Sequence, residues 1–154
     1  GLGEDSSSSS SSDSSSNDSS STSSSSSEYA AMEKKAHDLV NDYRATKGLS
    51  ALTLVESISS VCRAHSEDMA TIKVLSHDGF DGRADTLQTT VGWTGIAENV
   101  AFNNGFSDPE QTAVTGWIGS PGHEVNMSGN FTKTGMGVAK NADGSYYFTQ
   151  IFIR

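Results

Sequence analysis

Tyr146-Tyr147-Phe148-Thr149-Gln150-Ile151-Phe152-Ile153 is the stretch that decides what kind of domain this chain forms. Successive residues of a strand point to opposite faces, so Tyr146, Phe148 and Phe152 share one side and Tyr147, Ile151 and Ile153 the other. Both sides are apolar. A strand with one wet face would alternate polar and apolar residues, whereas one covered on both faces sits inside a sheet with helices above and below. Just before it, Asn141-Ala142-Asp143-Gly144 reads as a polar turn, and Gly135 to Lys140 as the partner strand of a hairpin. The expected fold is therefore α/β, a three-layer α-β-α sandwich.

Upstream of the hairpin, Asp108-Pro109-Glu110-Gln111 opens a helix, with Asp108 as N-cap and Pro109 at the first helical position. Its apolar face is Ala113, Val114, Trp117 and Ile118. Pro121 then ends the helical run, so Ser120-Pro121-Gly122-His123 is expected to hold His123 on a loop. Ala97 to Phe102 reads as a strand. Between Leu75 and Gly95 glycine and aspartate dominate: Ser76 to Arg83 is expected as a loop and Ala84 to Thr89 as a short helix. Two longer helices precede these. Met32, Ala36, Leu39, Val40 and Tyr43 recur at offsets 0, 4, 7, 8 and 11, and Gly48 follows where a left-handed C-terminal residue is wanted. Leu54, Ile58, Val61, Cys62, His65 and Met69 repeat that spacing, which puts Cys62 and His65 on a buried face as a small core residue and a core-edge histidine.

Composition is uneven. From Ser6 to Ser27, 18 of 22 residues are serine, and such a segment has no apolar surface to offset an ordering entropy of ~1–2 kcal/mol per residue. Residues 1–28 are expected to be a disordered, acidic, Ser-rich linker, with 29–154 as one domain. Five acids in the linker carry −5 of the net −9, leaving 14 acidic against 10 basic residues in the domain. Without a basic stripe, nucleic acid and anionic membranes are poor partners. Cys62 is the sole cysteine, so no disulfide can form within the chain. No stretch approaches the ~20 apolar residues of a membrane span. A serine linker ahead of a compact domain reads as the spacer of a secreted or surface-tethered protein, processed at its start and monomeric.

Five segments resemble, in order, the hallmark pieces of bacterial-type SCP-like domains of the CAP superfamily, which groups cysteine-rich secretory, antigen 5 and pathogenesis-related 1 proteins. They are Leu39-Val40-Asn41-Asp42-Tyr43-Arg44, Ser76-His77-Asp78-Gly79-Phe80, Ala97-Glu98-Asn99-Val100-Ala101, Trp117-Ile118-Gly119-Ser120-Pro121-Gly122-His123, and Tyr147-Phe148-Thr149-Gln150-Ile151-Phe152. The resemblance implies a small, mainly antiparallel central sheet and a cleft lined by histidines and acids. It carries His77, Glu98 and His123 into that cleft. Two departures stand out: Ser120 replaces the acid that follows the helix tryptophan in eukaryotic members, and Asn130 replaces the histidine before Phe-Thr. His123 supplies the second imidazole, as in the bacterial branch, and Glu124 is not carried over.

Two imidazoles and a carboxylate could bind a divalent ion such as Zn²⁺ with an open position for water, or form a metal-free floor in which Glu98 orients a histidine. Spacing alone decides neither. No nucleophile stands out, because Pro121-Gly122 gives no reason for the Ser120 hydroxyl to face His123, and Cys62 is expected to be buried. The expected function is an extracellular binding module for a lipid, small-molecule or protein ligand, with Trp93, Phe102 and Phe106 as candidate exposed aromatics. The alternative is a metal-dependent hydrolase working in the same cleft.

Overall fold

The computed structural model describes the backbone of residues 18–154 and the side chains from residue 27 onward. Five helices and four strands follow one another: α1 (Asp18–Thr46), β1 (Thr53–Leu54), α2 (Glu56–Ile72), α3 (Phe80–Thr90), β2 (Ile96–Asn103), α4 (Pro109–Ile118), α5 (Pro121–Met127), β3 (Lys133–Lys140) and β4 (Tyr146–Ile153). Two units are distinguished, with the boundary between Met32 and Glu33 inside α1. Of the expected linker, residues 1–17 lie outside the described residues, while 18–28 belong to α1. The helix thus begins ahead of its first apolar position. Extending a formed helix avoids the cost of nucleation, and serine's penalty per added residue is below about 0.7 kcal/mol.

The sheet runs β1-β3-β4-β2, with β1 parallel to β3 and the other pairs antiparallel. β4 is internal, and Tyr147 to Ile153 are buried without a break, as its two apolar faces require. On one face α2 lies over β3 and β4. That approach is close because β3 offers Gly135 and Gly137: a Cβ at either would collide with the backbone of α2, at Ile58–Ser59 and Cys62–Arg63. Ile58, Cys62, Leu87, Ile151 and Ile153 form the core between this face and its helices. On the opposite face Asn99 donates to the His123 carbonyl at 3.1 Å and Asn103 to the Pro109 carbonyl at 3.1 Å, which docks α4 and α5 against β2. The three layers are as expected.

The exposed edge of β3 beyond β1 is closed by side chains. Ser59 Oγ accepts the Met136 amide at 3.1 Å, and the buried carboxylate of Glu33 accepts the Val138 amide at 3.1 Å while Arg63 forks onto it. Capping these amides denies an incoming strand its template. The Asn41-Asp42-Tyr43-Arg44 segment has a structural role too. Asn41 holds both backbone groups of Leu52, and Arg44 donates to the carbonyls of Ser50, Met127 and Gly129 at 2.8–2.9 Å.

Three local expectations are corrected. Leu54 belongs to β1 rather than α2, because parallel pairing with Thr134 holds the chain extended until Val55. α3 begins at Phe80, four residues early, since Gly79 enters the helix from a left-handed conformation at φ 82°. Pro121 starts a helix instead of preventing one: its fixed φ and missing amide suit the first helical position, and His123 rides on the first turn of α5. By contrast the Asp108 cap is in place, accepting the Gln111 amide at 3.2 Å.

Candidate functional site

His77 sits in the loop between α2 and α3, and Glu98 on β2 faces α2 and α3. The His77 Nδ1–H donates to Glu98 Oε1 at 2.9 Å. His77 is exposed on 55% of its side chain and Glu98 on only 2%, so the pair joins a surface imidazole to a buried charge. That charge has a second partner. Arg83 on α3 grips it as a fork, Nε to Oε2 at 2.7 Å and Nη2 to Oε1 at 2.8 Å. The same guanidinium also donates to the carbonyls of Asp78 and His77 and to His65 Nδ1. Every N–H direction of Arg83 is used.

His65 is a satisfied, buried histidine, as expected. Because an arginine only donates, His65 Nδ1 must accept at 3.0 Å, and its Nε2–H donates to the Ser76 carbonyl at 2.7 Å. Cys62 is fully buried, and burial pushes its thiol well above the usual range, so it is no nucleophile.

His123 touches neither Glu98 nor His77 through a hydrogen bond. Burial lowers its pKa, and the charge on His77 lowers it further, so the two imidazoles lie within electrostatic reach of each other. Contrary to expectation, Ser120 Oγ does lie beside the ring, 2.9 Å from His123 Nδ1. The first turn of α5 brings residues three apart onto one side. Among the described residues none hydrogen-bonds the other nitrogen of that ring, where a hydrolytic Ser–His pair has its orienting group. Glu124 points elsewhere: its carboxylate accepts the Tyr43 hydroxyl at 2.7 Å and pairs with Lys47.

The three-ligand metal set does not fit this arrangement. Both Glu98 oxygens are taken by Arg83 and one also by His77, and among the described residues no three His, Cys, Asp or Glu side chains are grouped to hold an ion. A guanidinium stands where Glu98 would have met a cation. Sequence reasoning missed Arg83, although a signal existed: it is the only Lys or Arg between Lys73 and Lys133, and a glutamate on a covered strand needs a cation.

Comparison with known proteins identifies the family. The model of the cysteine-rich secretory protein family, CAP, matches residues 37–152. The chain belongs to the CAP family. A curated relative, the uncharacterized protein YkwD of Bacillus subtilis (strain 168), is 33% identical over 128 residues, covering 80% of this chain and 48% of its own length. This CAP chain therefore spans about half the length of that relative. An extracellular protein containing a SCP domain from Bacillus anthracis superposes with a TM-score of 0.70 at 30% identity, over 82% of this chain and 41% of that one. An outer surface protein from Borrelia burgdorferi shares the fold at a TM-score of 0.68 and 17% identity, over 79% and 90% of the respective chains. Among the described residues of the CAP domain no helix is long and apolar enough to cross a membrane.

One buried histidine, His37, and one half-buried, His123, are expected to make the domain's stability depend on pH. Burial lowers the pKa of His37 as well as that of His123. Asn41 donates to His37 Nε2 at 3.2 Å, which leaves the proton on Nδ1, an atom buried without a partner among the described residues. Above the ordinary imidazole pKa of ~6.5 both states are neutral and nothing is lost; as pH falls through it, the unfolded chain takes up protons that the native one refuses. The urea midpoint is expected to be lower at about pH 5 than at about pH 8, and a His37→Gln/His123→Gln variant should lose part of that difference. An unchanged difference would remove both histidines from the account.

Proposed function

We propose that this CAP domain is an extracellular binding module that takes its ligand at a cleft bordered by His77 and His123, with Glu98 beneath. The observation that carries this reading is the commitment of Glu98. Its charge is neutralised by Arg83 and its oxygens are occupied, so it is neither a free general base nor an open metal ligand. What the cleft offers a ligand is the outer edge of two imidazoles and the Ser120 hydroxyl. Of the candidate aromatics, Phe102 and Phe106 are exposed, whereas Trp93 is half-buried against the core and donates to the Ala84 carbonyl. Lipid, small-molecule and protein ligands all suit this surface, and the likeness to an extracellular protein containing a SCP domain supports a role outside the cell.

The test sets binding against turnover. Fluorescent fatty acid and sterol, and in parallel casein and a peptide library with and without chelator, are offered to the intact chain and to a His77→Ala/His123→Ala variant. Saturable binding that weakens in the variant, with no cleavage, is expected. Chelator-sensitive cleavage would replace this reading with a metal-dependent hydrolase.

A further inference from the structure

We infer that a second pocket, at the C-terminal end of α2, binds a small organic cation with an aliphatic body, an alkylammonium group in its simplest form. The pocket holds about 360 Å³ and is lined chiefly by His65, Asp68, Met69, Ile72, Ser76 and Asp78. That volume lies near the lower end of what ligand pockets enclose. It is separate from the cleft, because the loop that carries His77 toward Glu98 turns Ser76 and Asp78 to this side.

The lining is divided. Met69 forms a buried apolar floor, packed with Val100 and Tyr147, and Ile72 stands at the rim with 60% of its surface exposed. Val74 and Leu75 are exposed next to it. Three large aliphatic side chains left in water within four residues are what an apolar partner would cover. The charged half is Asp68 and Asp78. Neither carboxylate has a hydrogen bond or ion pair among the described residues, and the lining contains no lysine or arginine.

Neighbouring cations cannot supply the missing charge. Lys73 is paired with Asp143 at 2.8 Å, and Arg83 spends all its donors on Glu98, His65 Nδ1 and the carbonyls of His77 and Asp78. His65 has both ring nitrogens engaged and acts as wall. An ammonium group brings three donors for carboxylate oxygens, and an attached chain covers Met69 and Ile72. A bare divalent ion would leave the apolar half untouched, and a fatty acid would set its charge against two carboxylates.

The experiment is a ¹H–¹⁵N titration of the intact chain with n-hexylammonium, n-hexanol, hexanoate and methylammonium. Amide shifts confined to residues 65–78 and their immediate neighbours are expected for n-hexylammonium. Binding should weaken at least about tenfold for n-hexanol, for methylammonium and in an Asp68→Asn/Asp78→Asn variant, with hexanoate not binding. Ile72→Ser should weaken it with the charge intact. All three altered side chains are exposed, so unchanged urea midpoints will show that the variants are folded. Equal binding of n-hexanol or methylammonium, indifference to the aspartate variant, or shifts elsewhere would each overturn the proposal. No cleft residue is altered, so failure here leaves the cleft reading untouched.

Discussion

Arg83→Met should lower the unfolding free energy by about 3–5 kcal/mol, the range seen when one partner of a buried ion pair is removed. Methionine keeps the length and apolar stem of the side chain but takes away its donors. Glu98 is then left without its guanidinium in a site where 2% of its side chain meets water, with one exposed histidine as its remaining side-chain partner. The loss spreads: His65 Nδ1 and the Asp78 carbonyl lose their donor as well, and the His77 carbonyl keeps only the Phe80 amide. Total stability of a domain this size is only ~5–15 kcal/mol, so the variant should sit near the edge of folding. The decisive measurement is a double-mutant cycle by urea denaturation. Arg83→Met/Glu98→Gln should recover more than half of the loss, because the stranded charge is gone. A cost under about 1 kcal/mol would show that solvent already screens the pair and that Glu98 is free for other partners.

Gly137→Ala should be at least as damaging, on the order of 3 kcal/mol or more, through sterics alone. The new methyl group would fall among backbone atoms of Cys62 and Arg63, which cannot swing aside as a side chain can. Relief would require α2 to lift from β3 and β4, opening the core around Cys62 and Ile151. Gly82→Ala is the control. Gly82 lies inside α3 with open space around it, and alanine there should stabilise by about 0.5–1 kcal/mol. Thermal or urea unfolding of both variants reads the contrast, and a Gly137→Ala protein as stable as the parent would disprove the close packing of helix on sheet.

Much of the frame was legible because it rests on local periodicity. The two apolar faces of β4, the stripe from Ile58 to Met69 and the Asp108 cap each announce their surroundings in the residues themselves. Pro121 misled because the same ring that breaks a helix interior favours a helix start, and only the chain beyond it decides between the two. The site was legible in part. Likeness to a family brought out His77 and Glu98, and the structure joins them. The commitment of Glu98 to Arg83 could not be read locally, since it depends on α3 beginning early enough to place residue 83 one turn in, opposite a strand 15 residues further along. Ser120 and His123 likewise meet only because α5 forms.

The grip of Asn41 and Arg44 on the main chain of Ser50, Leu52, Met127 and Gly129 has a consequence for how such a domain can change. A loop fastened by its carbonyl and amide groups is indifferent to the side chains it displays. The surface beside α5 can therefore be rewritten residue by residue, while two side chains of the first helix keep its path.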